Sequence, residues 1–419
     1  MNHPDSTFDA IIVGARVAGS AVAIALARRG LKILLVDKAA FPADTLSTHI
    51  VLAGGTRVLA RMNALEHLER AGARRYQRMR MLGPGYDYGV DLEAAGGDDL
   101  RGFCLSRTHM DAAMLALARD AGAAVRERLR LTDLVIEDGA VAGIRGEDDS
   151  GTREFHAALV IGADGMRSTV ARIGEARLGA FARTEVPCAR AYYYAYFDDL
   201  NATRFGDDLV TELDAAPGQG AIACRCENGR AVAAVAFDAD QMRLFRTDLE
   251  GNFQRELARS FAVGHLVEGG RLASRIFSSG GLRNTCRKPV ADGALLVGDA
   301  GLHVDPLFGQ GHSLALMSAE IVGELAPRWF SARRGRVIAA AAMSEYALRR
   351  DRELLPYYAA SVKTSRALVC DPVAHAAHQI AQREGWAALE MARFGQMAAR
   401  GAFPSFRFAR MMARHARAA

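Results

Sequence analysis

Three carboxylates carry the first chemical signal, because each stands at the end of an apolar run and next to glycine or a small residue. Asp37 follows the run from Leu31 to Val36, Asp164 follows Ala158 to Ala163, and Asp299 follows Ala294 to Gly298. A carboxylate at the carboxyl end of a buried strand can accept hydrogen bonds from sugar or polyol hydroxyls lying across the sheet edge. Two glycine-flanked helix starts accompany them: Gly14-Ala15-Arg16-Val17-Ala18-Gly19 ahead of an Ala-rich stretch, and Gly309-Gln310-Gly311 ahead of the apolar stretch from Leu314 to Leu325. A helix start leaves N–H groups without intrahelical partners and carries a partial positive charge, so both suit an anion.

The elements needed to position these groups are legible around them. The apolar run from Phe8 to Val13 has the length of a buried parallel strand, and Gly14 ends it in a tight turn. A helix then runs to Arg28-Arg29, with Gly30 as its stop, and a second buried strand delivers Asp37 about twenty residues beyond the turn. Strand, glycine turn, helix, strand and acid form a dinucleotide-binding unit. Gly14, Val17, Ala18 and Gly19 are therefore candidates at a pyrophosphate, and Asp37 with Lys38 at an adenosine ribose. An acid at that ribose repels a 2′-phosphate, so NADP is a poor candidate for this site. Arg16 occupies the second glycine position of the motif. It is either a tolerated substitution or an added charge at the phosphates, and the sequence leaves both open. A second helix start cannot serve the same pyrophosphate but can serve the far end of a long cofactor. Gly298 and Asp299 would meet a ribityl chain, and the amides at Gly309, Gln310 and Gly311, beyond Pro306, would meet the negative charge of a reduced isoalloxazine.

Together with Leu105-Ser106-Arg107-Thr108-His109-Met110-Asp111, which opens a helix from Ala112 to Ala118, these segments resemble the class A FAD-dependent monooxygenases of the para-hydroxybenzoate hydroxylase-like group. They are similar also to that group's geranylgeranyl-reductase-like and flavin-halogenase relatives. The resemblance covers about residues 8 to 330. It implies an α/β fold, a Rossmann-like FAD-binding domain with an inserted antiparallel-sheet substrate domain and a helical C-terminal segment. It implies bound FAD, with Asp37 at the ribose, Arg107 near the pyrophosphate, Asp299 at the ribityl chain and the Gly309 to Gly311 amides at the ring. Asp164-Gly165 would shape the groove near FAD and a transient NADH or NADPH. Two departures stand out: Ser313 replaces a frequent Asn, and the Arg common after the second strand is missing from the stretch Phe41 to His49. A halogenase of this group would carry an early active-site Lys and a Trp-x-Trp-x-Ile motif. This chain has no Lys between Lys38 and Lys288, and its tryptophans are Trp329 and Trp386, so halogenation is disfavoured.

The expected reaction is hydroxylation or epoxidation of a small aromatic or polyketide-like molecule by O₂ through a flavin hydroperoxide. The alternative is a geranylgeranyl-reductase-like reduction or dehydrogenation without oxygen insertion; a flavin-binding protein without turnover is a third class. Arg190, Tyr192, Tyr194 and Tyr196 alternate along one strand and share a face, which is either a substrate wall or a packing face. His303, His49 and Tyr194 are the candidate catalytic groups.

The expected partition is a discontinuous FAD-binding domain at 1–71, 100–180 and 278–330, a substrate domain at 72–99 and 181–277, and C-terminal helices at 331–419. At 419 residues, with 50% hydrophobic and 24% charged residues, the composition is that of an ordinary globular protein and argues against disorder. Six cysteines exclude a disulfide-framed module, and Cys224-x-Cys226 lacks a second pair at zinc spacing. Basic residues outnumber acidic ones from Ser331 onward, but they are interspersed with Ala and Leu as on a solvated helix face, so nucleic acid is not an expected partner. The basic, apolar stretch Phe403 to Met412 is expected to pack on its own domain rather than on a membrane. No apolar run reaches the roughly 18 residues of a membrane span; the expectation is a cytoplasmic monomer or homodimer.

Overall fold

The computed structural model describes residues 7–397 and Arg410, apart from 46, 48, 94, 96, 98, 201–205, 214–218, 246, 334 and 366–371. The C-terminal stretch Phe403 to Met412 thus lies outside the described residues, Arg410 excepted.

The chain forms a mixed α/β fold around two large sheets. In the first, the strands Ala294–Leu296, Gly151–Gly162, Thr7–Val13, Ile33–Val36 and Ala124–Arg126 lie side by side in parallel. Their apolar runs are buried on both faces: Ile11, Ile12, Leu35, Val160 and Leu295 have no exposed surface. Parallel strands need this double cover. The helix Val17–Ala27 covers one face together with Gly311–Ser331 and Arg107–Asp120, and Thr169–Leu178 covers the other with the antiparallel strands Arg130–Glu137 and Ala140–Asp148. The Ala-rich sequence of Val17–Ala27 follows from this position, since ten of its residues are buried and only small side chains fit between strand and neighbouring helices.

The second sheet runs Arg271–Leu272, Arg190–Asp198, Ala231–Asp238, Gly220–Arg225, Asp208–Leu213, Arg78–Gly83 and Tyr86–Asp91. Its pairs are antiparallel with one exception: Arg78–Gly83 joins Asp208–Leu213 in parallel, which recruits the excursion between residues 72 and 99 into the sheet. Asn228 (φ 57°) and Gly229 (φ 75°) make the expected tight turn of the central hairpin. The strand Arg190–Asp198 alternates as read from the sequence. Tyr194 and Tyr196 face the core shared with the parallel sheet, while Ala191, Tyr193, Ala195 and Phe197 face a separate core under the helices Leu249–Arg259 and Phe261–Val267.

Two small sheets of three strands tie the large ones together. Ile50–Val51 and Arg74–Arg75 flank Phe103–Cys104, and Arg183–Pro187 and Leu302–His303 flank Arg283–Arg287. Each holds one strand where the chain leaves for the second sheet and one where it returns. Helices Ser344–Ser365, Pro372–Arg383 and Gly385–Gly395 complete the described C-terminal part; the last two pack on Tyr86–Asp91. No helix among the described residues is long and apolar enough to cross a membrane.

Candidate functional site

A groove of about 760 Å³ crosses the carboxyl edge of the parallel sheet and ends against the second sheet. It is built first by the glycine turn. Gly14 takes φ +104°, and a Cβ there would meet Ala163 O at 2.4 Å, so the loop lies directly on the neighbouring strand end. A Cβ on Gly19 would fall 1.7 Å from Gly14 O, which shows how closely the helix Val17–Ala27 is drawn onto the turn. The first free N–H groups of that helix open at one end of the groove, where Arg16, Val17 and Ala18 line it. Asp37 stands beside them; its carboxylate accepts hydrogen bonds from Ala15 N–H (2.7 Å) and Ala39 N–H (2.8 Å), so it is locked to the glycine turn.

At the other end the strand Ala294–Leu296 passes into a turn at Gly298–Ala300, and a short turn Pro306–Phe308 leads through Gly309 (φ +64°) to the helix Gly311–Ser331. Asp299, Pro306, Gly309, Gly311 and His312 line this end. Burial alone would raise the Asp299 carboxyl, but the His303 imidazole, whose Nδ1 lies 3.2 Å from Asp299 Oδ2, outweighs it and holds the acid below its ordinary range. Between the two ends Asp164 accepts N–H bonds from Thr169 and Val170 on Oδ2, while its buried Oδ1 has no partner among the described residues, and burial raises its carboxyl.

Arg16, the departure from the glycine motif, turns its guanidinium to Asp111 (2.6 Å) and lies 5.6 Å from the Phe41 ring. Arg107 grips the same buried Asp111 through three hydrogen bonds of 2.8 to 3.2 Å. One carboxylate thus organises two guanidinium groups on the groove wall, and the helix bearing Arg107 starts at that residue rather than at Ala112.

Of the candidate site residues, Gly14, Arg16, Val17, Ala18, Asp37, Lys38, Arg107, Asp164, Asp299, Pro306, Gly309, Gly311, His303, Tyr192 and Tyr194 line one continuous groove. Gly19 and Gly298 lie behind it as packing contacts, and Gln310 is buried at the helix start. Three further candidates are not part of its wall either. Arg190 is buried and donates to Thr364 O at 3.1 Å, at the end of the helix Ser344–Ser365. Tyr196 bonds His49 Nε2 at 2.5 Å and stacks on its ring, and His49 is fully buried behind Tyr194. Burial, with the charge of Arg107, keeps His49 neutral well below its ordinary range, so it acts as a wedge between tyrosines. The shared face of the tyrosine strand is therefore a wall at Tyr192 and Tyr194 and packing at its two ends.

Sequence reasoning missed His312 and Ser47, which line the groove. His312 follows Gly311 at the helix start; its Nδ1 bonds Ile50 O (3.1 Å) and its Nε2 meets Ser47 Oγ (3.3 Å). Burial and the Arg107 charge lower it to about 4. Its place directly after Gly-Gln-Gly was the available signal.

The chemistry of this donor set fits one long molecule bearing phosphates, hydroxyls and a flat ring. A helix start lies at each end, carboxylates placed for hydroxyls stand along the groove, and buried polar atoms of Asp164 and His303 have no hydrogen-bond partner among the described residues. No group of His, Cys, Asp or Glu among the described residues is arranged to hold a metal ion.

Comparison with known proteins agrees with this reading. The family described as FAD binding domain matches residues 7–325. A digeranylgeranylglycerophospholipid reductase of Methanothrix thermoacetophila is 27% identical over 329 residues, which is 76% of this chain and 77% of the relative. The fold is shared with a myxobacterial FAD-dependent chondrochloren halogenase (TM-score 0.75, 18% identity, 96% of this chain and 92% of that one). It is shared too with p-nitrophenol 4-monooxygenase of Pseudomonas putida (TM-score 0.76, 15% identity, 94% and 98%).

Proposed function

The chain belongs to the FAD binding domain family, and from that premise we propose that this FAD-dependent oxidoreductase is a monooxygenase that consumes NADH or NADPH and hydroxylates or epoxidises a small aromatic or polyketide-like molecule. The observation that carries this reading is the size and wall of the groove. About 760 Å³ lies within the 300–1,000 Å³ of sites for one drug-sized molecule. A dinucleotide takes up much of that volume, which leaves room at the ring end suited to a small planar substrate. The wall facing the ring end, Tyr192, Tyr194, Ser278 and Ser279, offers aromatic faces and hydroxyls.

Bound FAD would supply two-electron transfer and, once reduced, the activation of O₂. The residues supply the rest. Asp37 would accept from the ribose and Asp299 from the ribityl chain, while Val17 and Ala18 present amides to the phosphates with the Arg16 and Arg107 charges nearby, the Gly14 N–H being taken by Val36 O (2.8 Å). The first-turn amides of Gln310 and Gly311 would hold negative charge on the ring, a task for donors fixed before the reaction begins, whereas the Gly309 N–H is taken by Pro306 O (2.8 Å). Tyr194 is pinned by its bond to Thr45 O (3.0 Å) and by stacking on Phe277 (4.7 Å), so it orients a flat substrate without ordering cost. The same readings assign residues 1–71, 100–180 and 278–330 to the cofactor and 72–99 and 181–277 to the substrate.

A second reading, reduction without oxygen insertion, is favoured by the Methanothrix relative, whose substrate by name is an isoprenoid glycerophospholipid. Purified protein loaded with FAD, given NADH or NADPH and a panel of phenols and polyketides under ¹⁸O₂, separates them. Products heavier by one labelled oxygen carry the first reading. Products gaining only hydrogen, at a rate indifferent to O₂, overturn it for the second. Halogenation remains disfavoured by the absence of Lys between Lys38 and Lys288.

A further inference from the structure

Ser47 and His312 meet on the groove wall at the ring end, where Ser47 keeps part of its surface open. The imidazole is fixed first. Its Nδ1 lies 3.1 Å from Ile50 O, and a carbonyl oxygen can only accept, so Nδ1 carries the hydrogen. In the neutral ring Nε2 is then an acceptor, and Ser47 Oγ, 3.3 Å away, donates its one hydrogen to it. The ring does stay neutral, because burial and the Arg107 charge hold it down to about 4. The serine is fixed from its other side as well. His49 takes φ 62°, which turns its N–H back onto Ser47 Oγ (3.0 Å). The segment itself is tied down by the Tyr194 hydroxyl on Thr45 O (3.0 Å) and by Leu105 N–H on His49 O (3.1 Å).

These bonds all run one way: His49 N–H to Ser47 Oγ, Ser47 O–H to His312 Nε2, and His312 Nδ1–H to Ile50 O. They use the only hydrogen of the serine hydroxyl and one of its two lone pairs, and among the described residues nothing takes the second. Toward the groove Ser47 can therefore accept a hydrogen bond but has none to give. We propose that Ser47 is a specificity residue of the ring end, accepting one O–H or N–H group of a ligand, and that His312 is the positioning residue that keeps this serine an acceptor. His312 does not touch the ligand in this role; it acts by holding the serine hydrogen.

The assignment deepens the function proposed above and rests on it for the ligands. Two sources bring such a group to this end of the groove: a substrate that is a phenol or an aromatic amine, and the imide N–H of the cofactor ring. Their chemistry at Ser47 is the same. An ether or ketone oxygen placed there would set two acceptors against each other, and a C–H would leave the serine lone pair unmet. Either forfeits one net hydrogen bond, roughly tenfold in affinity. A substrate read by Ser47 is thus held better as the phenol than as its methyl ether.

The test is read first on FAD-free protein. With ¹⁵N-labelled histidine, NMR between pH 5 and 9 is expected to show a neutral, non-titrating imidazole with its hydrogen on Nδ1, absent in His312→Asn and kept in Ser47→Ala. A His312 ring with its hydrogen on Nε2, or titrating near the ordinary 6.5, overturns the proposal. FAD affinity is then measured by fluorescence quenching, and the affinities for phenol and anisole by the change in flavin absorbance. If the cofactor ring is the donor, Ser47→Ala weakens FAD binding roughly tenfold; if the substrate is, it weakens phenol roughly tenfold and leaves anisole and FAD alone. Ser47→Thr, which keeps the hydroxyl, restores either. Where the substrate is the donor, His312→Asn, which keeps a donor for Ile50 O but releases the serine hydrogen, narrows the preference by strengthening anisole. A wild type indifferent between phenol and anisole, together with an FAD affinity unmoved by Ser47→Ala, overturns the proposal. A wild type that takes up no FAD sinks the cofactor reading alone, since phenol and anisole binding is then read from the His312 resonance of FAD-free protein.

Discussion

Gly19→Ala puts the closest contact of the site under load. The new methyl would sit 1.7 Å from Gly14 O and 3.2 Å from the Ala163 Cβ. Carbon and carbonyl oxygen approach no nearer than about 3.3 Å, so the Gly14 carbonyl must retreat by roughly 1.5 Å. The contact is backbone and cannot swing away, which places the overpacking cost near ~3 kcal/mol, the upper end of the usual range. Alanine regains about 1 kcal/mol of helix propensity over glycine. The net loss of stability is then about 2 kcal/mol, read from the urea midpoint of FAD-free protein. The retreat also shifts the Gly14–Ala15 peptide, whose N–H side is fixed to Asp37 at 2.7 Å. Disturbing one or two phosphate or ribose hydrogen bonds, at about 1.5–3 kcal/mol each to charged groups, weakens FAD binding on the order of 10- to 100-fold. FAD fluorescence quenching measures it. Gly30→Ala is the control: Gly30, unlike Gly19, has positive φ (+80°) and no atom within 4 Å of a new Cβ, so it costs about 1–2 kcal/mol of backbone strain and leaves FAD affinity unchanged. Equal FAD affinities in Gly19→Ala and wild type would refute the reasoning.

Asp299→Ala should purify with little FAD, because the proposed ribityl contacts are gone; a fully yellow preparation contradicts the assignment. Asp37→Ala should weaken FAD binding but recover its turnover when FAD is saturating, and a persistent rate defect would give Asp37 another task. Stability should fall in mild acid. His312 and His378 are both held down to about 4, chiefly by burial, so the unfolded chain takes protons first as pH drops below about 6.5. The loss runs from about pH 6.5 to 4, up to ~3 kcal/mol for each residue, and His303 plays no part in it, since its contribution is complete throughout that range and fades only at higher pH. Urea midpoints at pH 7 and pH 5 check this; an unchanged midpoint in wild type, or a His378→Asn variant with an undiminished fall, counts against it.

The parallel sheet was legible because strands buried on both faces must be written in apolar residues. The runs ending at Gly14, Asp37, Asp164 and Asp299 therefore announced both the sheet and its acids. The Asn228–Gly229 turn was legible because few other residues accept two successive positive φ angles. Strands of two residues, such as Ile50–Val51 and Leu302–His303, carry no period at all, and the parallel pairing of Arg78–Gly83 with Asp208–Leu213 joins segments that no local rule connects. The same blindness governed the side chains. His49 and His312 are alike in the sequence, yet one is wedged behind Tyr194 and the other stands on the wall. The choice between wall and packing for Tyr192, Tyr194 and Tyr196 depended on where the strand meets the groove.

The two three-stranded sheets give the molecule a mechanical character. Two halves joined by a bare loop can swing like a jaw; here each passage of the chain is stitched to its return by backbone hydrogen bonds on both flanks. Opening the groove wide would mean unpicking a seam, and amide protons in Phe103–Cys104 and Arg283–Arg287 should exchange as slowly as those of the large sheets. Entry and exit of small molecules then falls to side chains and loops, with the halves themselves staying put.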